Sequence, residues 1–466
     1  MISTRTKILT TLTSMDIKIG IRQSFKNNFF INLNFFTTMK KMFFFALAAA
    51  GMLTACSNDD TLGGNGEQNV SEQQIRLGVA SSKVQTRGTG TVGGTTDDEN
   101  KWAGQTLWVY MLQKGSMDLA LYKSPAAGAA AAATTEVFNN KEFKAPNTAD
   151  NTKSGLATTA DGTIAYYPVS GNYDFWGYRV DNAVTGTPDV KTVNDNGDEV
   201  AADLATKRVV AIEIDGSQDI MAGKAVPSND EVTALGNYAE NFYSAYAARK
   251  GVQPNITFEH LLTRFTFEVR AGSKATAGLP AGGNTDAVKV TGVSVDSKTT
   301  GTLTVAYTGA TKEAADLLTF TGDASALTLK QRDAAVADNN AELVGLVPVS
   351  LTWTDDAATI GDVLKVGEAL LVAPGETEYP LTISLSQDVL KKAGEAKVTM
   401  PLEQKATIKM DGGQKFEPGK SYKVTITVYG LEDIRVTATL VPWVDGGSID
   451  IDDDRNPNEG TYTPAP

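Results

Sequence analysis

The sequence predicts an all-β protein that follows an export segment and divides into two β domains. Three observations predict this. Apolar and polar residues alternate with period two along many short runs, as in strands with one buried and one solvated face. Clusters of Gly, Pro, Asn and Asp separate those runs, and Gly reaches 43 of 466 residues. Charged residues make up only 21% of the chain, which favours turn-rich strands over a helical bundle.

The first segment reads as an address. Met39-Lys40-Lys41 is a short basic region, Met42 to Leu53 is an apolar run, and Leu53-Thr54-Ala55-Cys56 ends it. This is the layout of a secretory signal, with an apolar run too short to span a bilayer. Leu-Thr-Ala-Cys resembles the lipobox of bacterial lipoproteins, which places the chain's single Cys at an acylation site. Met39 is the better start, because residues 1–38 add nothing a signal peptide needs. Ser57-Asn58-Asp59-Asp60 is similar to the acidic signal that directs some lipoproteins to the outer face of the outer membrane. Residues 57–74 are polar and read as a tether.

The strands follow in order. Ile75, Leu77 and Val79 alternate with Gln74, Arg76 and Gly78. Val210, Ile212 and Ile214 form the next alternating run, after the turn Asn194-Asp195-Asn196-Gly197-Asp198. Residues 231–249 carry apolar side chains at Val232, Leu235, Tyr238, Phe242 and Tyr246, which predicts one amphipathic helix weakened by Gly236. The Ala-rich stretch 126–133 predicts a loop or short helix. Gly251-Val252-Gln253-Pro254-Asn255 is a turn cluster, and it sets a domain boundary between residues 253 and 254. Beyond it the apolar phase shifts, from Phe258 and Leu262 to Phe265, Phe267 and Val269, which predicts a β-bulge near Thr263. Leu303, Val305 and Tyr307 alternate next, then Leu381, Ile383 and Leu385, then Tyr422, Val424, Ile426 and Val428. Ile434, Val436, Ala438 and Leu440 close the series.

Composition limits the chemistry. One His and one Cys leave no zinc ligand set and no internal disulfide, and a net charge of −13 lacks the basic footprint of a nucleic-acid binder. No cofactor is expected. Gly88, Gly90 and Gly93 match GxGxxG, but no strand precedes them and no helical pattern follows. His260 has no GxSxG partner motif and reads as an interior residue with hydrogen-bonded ring nitrogens. Asp195-Asn196-Gly197-Asp198 lacks the spacing of a calcium loop. Tyr173, Phe175, Trp176 and Tyr178 are either core residues or a surface for stacking glycans. Arg87, among small polar residues, suits an Arg-specific protease. The chain does not read as an enzyme.

Several segments together resemble the fimbrillin (major fimbrial subunit, type V pilin) family. They are the lipobox, Thr86-Arg87-Gly88-Thr89-Gly90, Tyr166-Tyr167-Pro168, Gly171 to Tyr178, Phe258 to Arg264, Phe416 to Tyr422 and Thr437 to Trp443. The resemblance implies two transthyretin-like β-sandwich domains in tandem. It implies a signal peptide over 1–55, a tether and propeptide strand over 56–87, an N-terminal domain over 88–253, and a C-terminal domain with an acidic tail over 254–466. It also implies export as a lipoprotein acylated (palmitate) at Cys56, then cleavage of the Arg87–Gly88 bond by an Arg-specific protease. The segment Ile75–Val84 would leave. The region Ile434–Ile451, with Ile434, Val436, Ala438 and Leu440 as its apolar face, would donate a strand to a neighbouring subunit. The implied partners are other fimbrial subunits in a head-to-tail polymer, the outer membrane before processing, and a host or bacterial surface receptor. The tail beyond Trp443 leaves a stalk or a tip position open. The competing reading is a surface lipoprotein that stays anchored and binds glycan or another host ligand.

Overall fold

A computed structural model of the protein describes residues 73–81, 105–123, 134–144, 157–158, 165–238, 242–272, 288–310, 312–333, 343–352, 360–389, 395–410, 412–429, 434–441 and 448–449. The signal segment, Cys56, residues 57–72 of the tether, the Arg87–Gly88 bond, the Ala-rich stretch and the tail from Asp450 lie outside the described residues. All the described strands belong to the unit that begins at Ser71.

The chain is all-β, built on three main sheets. The first has eight strands, in the order Ser448–Ile449, Gly78–Ser81, Asn255–His260, Met221–Ala225, Tyr173–Arg179, Thr106–Gln113, Lys141–Lys144 and Ala157–Thr158. Within it only Gly78–Ser81 and Asn255–His260 run parallel. The second has four strands, in the order Leu364–Val372, Thr263–Ala271, Ser421–Val428 and Ile434–Val441. The third has Val398–Lys409, Glu378–Val389, Lys289–Tyr307, Lys207–Glu213 and Val190–Val193 in its main order of strands, with Leu318–Thr328 also paired to Lys289–Tyr307.

Two cores follow from this arrangement. Met111 and Phe175 face one, with Ile75, Leu77, Val79, Ile256 and Phe258. Tyr110, Trp176 and Tyr178 face the other, with Val210, Ile212, Phe265 and Phe267. A strand buried on both faces reads as a near-continuous apolar run. That explains the dense aromatic sequence of Tyr173–Arg179, whose residues are all buried except Asp174.

Local sequence explains two departures from expectation. The helix over 231–249 is broken: Asn229–Leu235 starts at a capping box built by Ser228 and Glu231, and ends at Gly236 with φ 55. A short helix, Ala245–Arg249, begins after Ser244, whose side chain accepts from the Ala247 amide. A residue with positive φ ends a helix, and Gly adopts it at least cost. The phase shift after Phe258 is not a bulge at Thr263. One strand ends at His260 and another begins at Thr263 in a different sheet. Leu261 and Leu262, both fully buried, carry the chain between them. A register irregularity does occur, between Phe265 and Phe267 against Leu364–Val372.

The division expected between residues 253 and 254 falls one residue before Asn255–His260, the strand that joins Met221–Ala225 to Gly78–Ser81 in the first sheet. Lys207–Glu213, from the earlier half of the sequence, pairs with Lys289–Tyr307 from the later half.

Candidate functional site

The N-terminal strand lies in a slot that the rest of the chain builds. Its alternation does what period two dictates: Ile75, Leu77 and Val79 are buried at 6%, 3% and 0% exposure, and Gln74 and Arg76 are half-buried. Beneath it, in the same core, an aromatic floor is set by edge-to-face contacts. Phe175 meets Tyr167 at 6.1 Å and Tyr243 at 5.6 Å between ring centroids, and Phe138 meets Phe143 at 5.2 Å. Such geometry adds to plain area burial.

Both edges of the strand are hydrogen-bonded. On the inner edge, Gly78–Ser81 pairs in register with Asn255–Phe258, and the Gly78 amide donates to the Pro254 carbonyl at 3.0 Å. Gln253 extends this edge: its side chain accepts from the Arg76 amide at 3.1 Å and donates to the Gln74 carbonyl at 3.2 Å. On the outer edge, the Ile75 amide donates to Ala165 and the Tyr167 amide donates to Gln73. Further along, Val79 and Ala80 pair antiparallel with Ile449 and Ser448.

Two glycines shape the neighbouring strands. Gly177 and Gly223 pair with each other, and Gly223 pairs with Phe258. A Cβ at Gly177 would lie 2.7 Å from Cζ of Phe258, and one at Gly223 would lie 1.9 Å from the Thr257 carbonyl oxygen. The Phe258 ring therefore lies over a stretch of sheet without side chains, next to the N-terminal strand. Tyr167 and Tyr243 are also in this core, and burial pushes both phenols well above their ordinary range. Neither hydroxyl has a hydrogen-bond partner among the described residues.

A buried charged cluster fixes the far end of Asn255–His260. His260 Nδ1 lies 2.9 Å from Asp219 Oδ1. Arg179 binds Asp181 at 2.7 Å, Gln105 Oε1 at 2.9 Å and the Asp219 carbonyl at 3.1 Å. Burial pushes the Asp219 carboxyl up, but the His260 ring, Arg179 and Arg264 more than reverse this and hold it below the usual carboxylate range. Burial pushes Asp181 up; Arg179 opposes the shift and Asp219 reinforces it, and the net shift is upward. His260 is thus an interior, hydrogen-bonded residue, as the sequence predicts. Arg179, Asp219 and His260 are all buried, an arrangement suited to holding strands together.

The remaining candidates are placed as follows. Tyr173, Phe175, Trp176 and Tyr178 are all buried, so they do not form a glycan-stacking surface. Asn194–Asp198 is a side-chain-closed turn, in which Asn194 Oδ1 accepts from the amides of Asn196 and Asp198. No group of three or more acidic, His or Cys side chains suited to a metal occurs among the described residues. Ile434–Val441 is the end strand of the second sheet, with each of its residues in register against Ser421–Val428. Within it Ala438 packs, partly buried, on the larger core. Cys56, Arg87 and Gly88 lie outside the described residues. The sequence reading missed the parallel pairing at Asn255–His260, the tyrosine pair and the Arg179 cluster.

A family model described as fimbrillin-like matches residues 94–443. No curated protein matches the chain. Among solved structures, a protein of Bacteroides uniformis provisionally assigned to cell adhesion is 16% identical, covers 80% of this chain and 100% of its own, and has a TM-score of 0.37. A similar protein of Bacteroides eggerthii is 15% identical, with coverages of 80% and 98% and a TM-score of 0.33. The fimbrial anchor protein Mfa2 of Porphyromonas gingivalis is 10% identical, with coverages of 79% and 99% and a TM-score of 0.26.

Proposed function

The chain belongs to the fimbrillin-like family, and we propose that it is a fimbrial subunit activated by loss of its N-terminal strand. On this reading the chain is exported as a lipoprotein acylated at Cys56 and held at the outer membrane. An Arg-specific protease cuts the Arg87–Gly88 bond, and the segment Ile75–Val84 leaves with the anchor. A strand from the C-terminal region of a neighbouring subunit, Ile434–Ile451, then fills the slot. The subunit would comprise two transthyretin-like sandwiches in tandem and would act in surface adhesion through a host or bacterial receptor. The family is one of fimbrial structural proteins, and no catalytic step is assigned.

The observation that carries this is the seating of Ile75, Leu77 and Val79 in the core. Their removal would uncover the faces of Ile256 and Phe258 and the unpaired backbone of Asn255–His260. An apolar groove beside an open strand edge is a template for strand addition, with backbone bonds giving affinity and alternate side chains giving specificity. Repeated head to tail, such a contact does not close, and it builds a filament. Donation of Ile434–Leu440 requires that this strand first peel from Ser421–Val428. The reading is tested by Arg87→Ala in cells: filaments should disappear under electron microscopy while the protein stays anchored. Unchanged filaments would sink it.

A further inference from the structure

We infer that the Gln253 carboxamide is a binding site for peptide backbone: it holds one amide and one carbonyl of the strand in the N-terminal slot, whatever side chains that strand carries. The ligand class is an extended peptide with no proline at the amide position. The contact with the chain's own strand stands by itself. Its extension to an incoming strand rests on the proposed function.

In a parallel ladder a residue bonds to the two neighbours of the residue opposite it. Gly78 stands opposite Asn255, and its amide donates to the Pro254 carbonyl at 3.0 Å. Continued towards the N-terminus in that register, the Arg76 amide would take the Val252 carbonyl, and the Val252 amide would take the Gln74 carbonyl. The main chain has turned away before it can do so. The Val252 amide donates instead to Ala247 at 3.0 Å, past the end of the helix Ala245–Arg249, where Gly251 takes a φ of 82. Pro254 has no N–H to give. Gln253 fills both roles: Oε1 accepts from the Arg76 amide at 3.1 Å, and Nε2 donates to the Gln74 carbonyl at 3.2 Å. One side chain supplies the acceptor and the donor that residue 252 would have supplied.

The opposite edge completes the pattern. Residues 73 and 75 bond outward, to Tyr167 and Ala165, while residues 74 and 76 bond inward to Gln253. Such alternation belongs to a strand between two neighbours, and here the inner neighbour is a single side chain. Both bonds go to main-chain atoms, so they do not depend on which residues stand at 74 and 76, proline at 76 excepted. A slip by one residue would turn those groups to the other edge, so the clamp also sets register. Gln253 is half-buried, and Val252 and Pro254 on either side of it are buried. The base is therefore fixed, while rotation of the side chain alone can break or remake both bonds. A clamp of this kind can release one strand and hold another of different sequence.

The test uses the full chain with Gln253→Met, which keeps the side chain's length and loses both bonds. Amide exchange at Gly78 reports opening of the strand. It should quicken about thirtyfold, the effect of losing two hydrogen bonds, with the amides of Ser421–Val428 unchanged as a folding control. Gln74→Ala keeps its carbonyl and should change exchange by less than about threefold, within the loss of a single hydrogen bond. Where Arg76→Pro has already removed one bond, adding Gln253→Met should quicken exchange only about fivefold. Unaltered exchange in Gln253→Met, an equal effect of Gln74→Ala, or the same factor in both backgrounds would overturn the clamp. Filaments from Gln253→Met cells should dissociate at a lower temperature than those with Gln253; equal heat resistance would overturn the extension to an incoming strand. Absence of filaments from cells carrying the unaltered chain would sink the proposed function and leave the exchange result standing.

Discussion

Leu77→Ala should loosen the N-terminal strand without unfolding the chain. Leu77 is 3% exposed and stands between Ile75 and Val79 on the same core face. Truncation removes three carbons, about 2.4 kcal/mol of transfer free energy, and a residual cavity brings the loss to about 3 kcal/mol. At about 1.4 kcal/mol per decade, the detached population should rise about 150-fold. Arg76 provides the assay, because it lies within the strand and its amide is bonded to Gln253. Trypsin can cut after Arg76 only when the strand is out of its slot, and where reclosing is fast the cleavage rate follows the open population. The cut at Arg76 should therefore accelerate about 100-fold in Leu77→Ala, with Arg76→Ala as the blank. A change of less than about threefold in a folded variant would refute the claim that this row of side chains holds the strand.

Further predictions concern the glycine row and the charged cluster. Gly223→Ala should cost about 3 kcal/mol, because its Cβ would lie 1.9 Å from a backbone oxygen. Gly345→Ala, with nothing within 4 Å of the new Cβ, should stay within about 0.5 kcal/mol; urea midpoints measure both. Asp219 is held below its ordinary pKa, so its contribution is present above the ordinary carboxylate value and lost as pH falls through the folded one. Asp219→Asn should flatten the acid limb of the melting temperature while lowering stability at neutral pH by about 3–5 kcal/mol, since it leaves buried partners uncompensated. Asp181 is shifted upward and works in the opposite sense, so Asp181→Asn should steepen that limb. Thermal melts from pH 3 to 7 separate the two.

Local patterns in the sequence carried the fold class. The alternating runs at Val210–Ile212, Leu303–Tyr307 and Tyr422–Val428 lie in strands that bury those apolar side chains, and period two records that; the run Ile434–Leu440 is a strand as well. The row Ile75, Leu77 and Val79 was legible for the same reason. Its partner was not. Gly78 meets Asn255 across a separation with no local signature, and parallel pairing leaves no turn motif to read. The shift of phase after Phe258 was visible but pointed to the wrong cause, since a change of sheet and a bulge alter the phase in the same way. His260 was legible as an interior residue, but its partners were not, because isolated Arg and Asp residues read as surface. Only three-dimensional proximity shows that they satisfy one another when buried. Gly236 weakened the helix in the sequence reading; its left-handed φ shows that it ends it.

The central claim is that the N-terminal strand is a removable part of the fold and that its removal gates assembly. The N-terminus of protein recovered from surface filaments tests this most directly. The account predicts filaments whose subunits begin at Gly88 and lack residues 73–81. Filaments built from subunits that begin at lipid-modified Cys56, with the strand still in place, would contradict it.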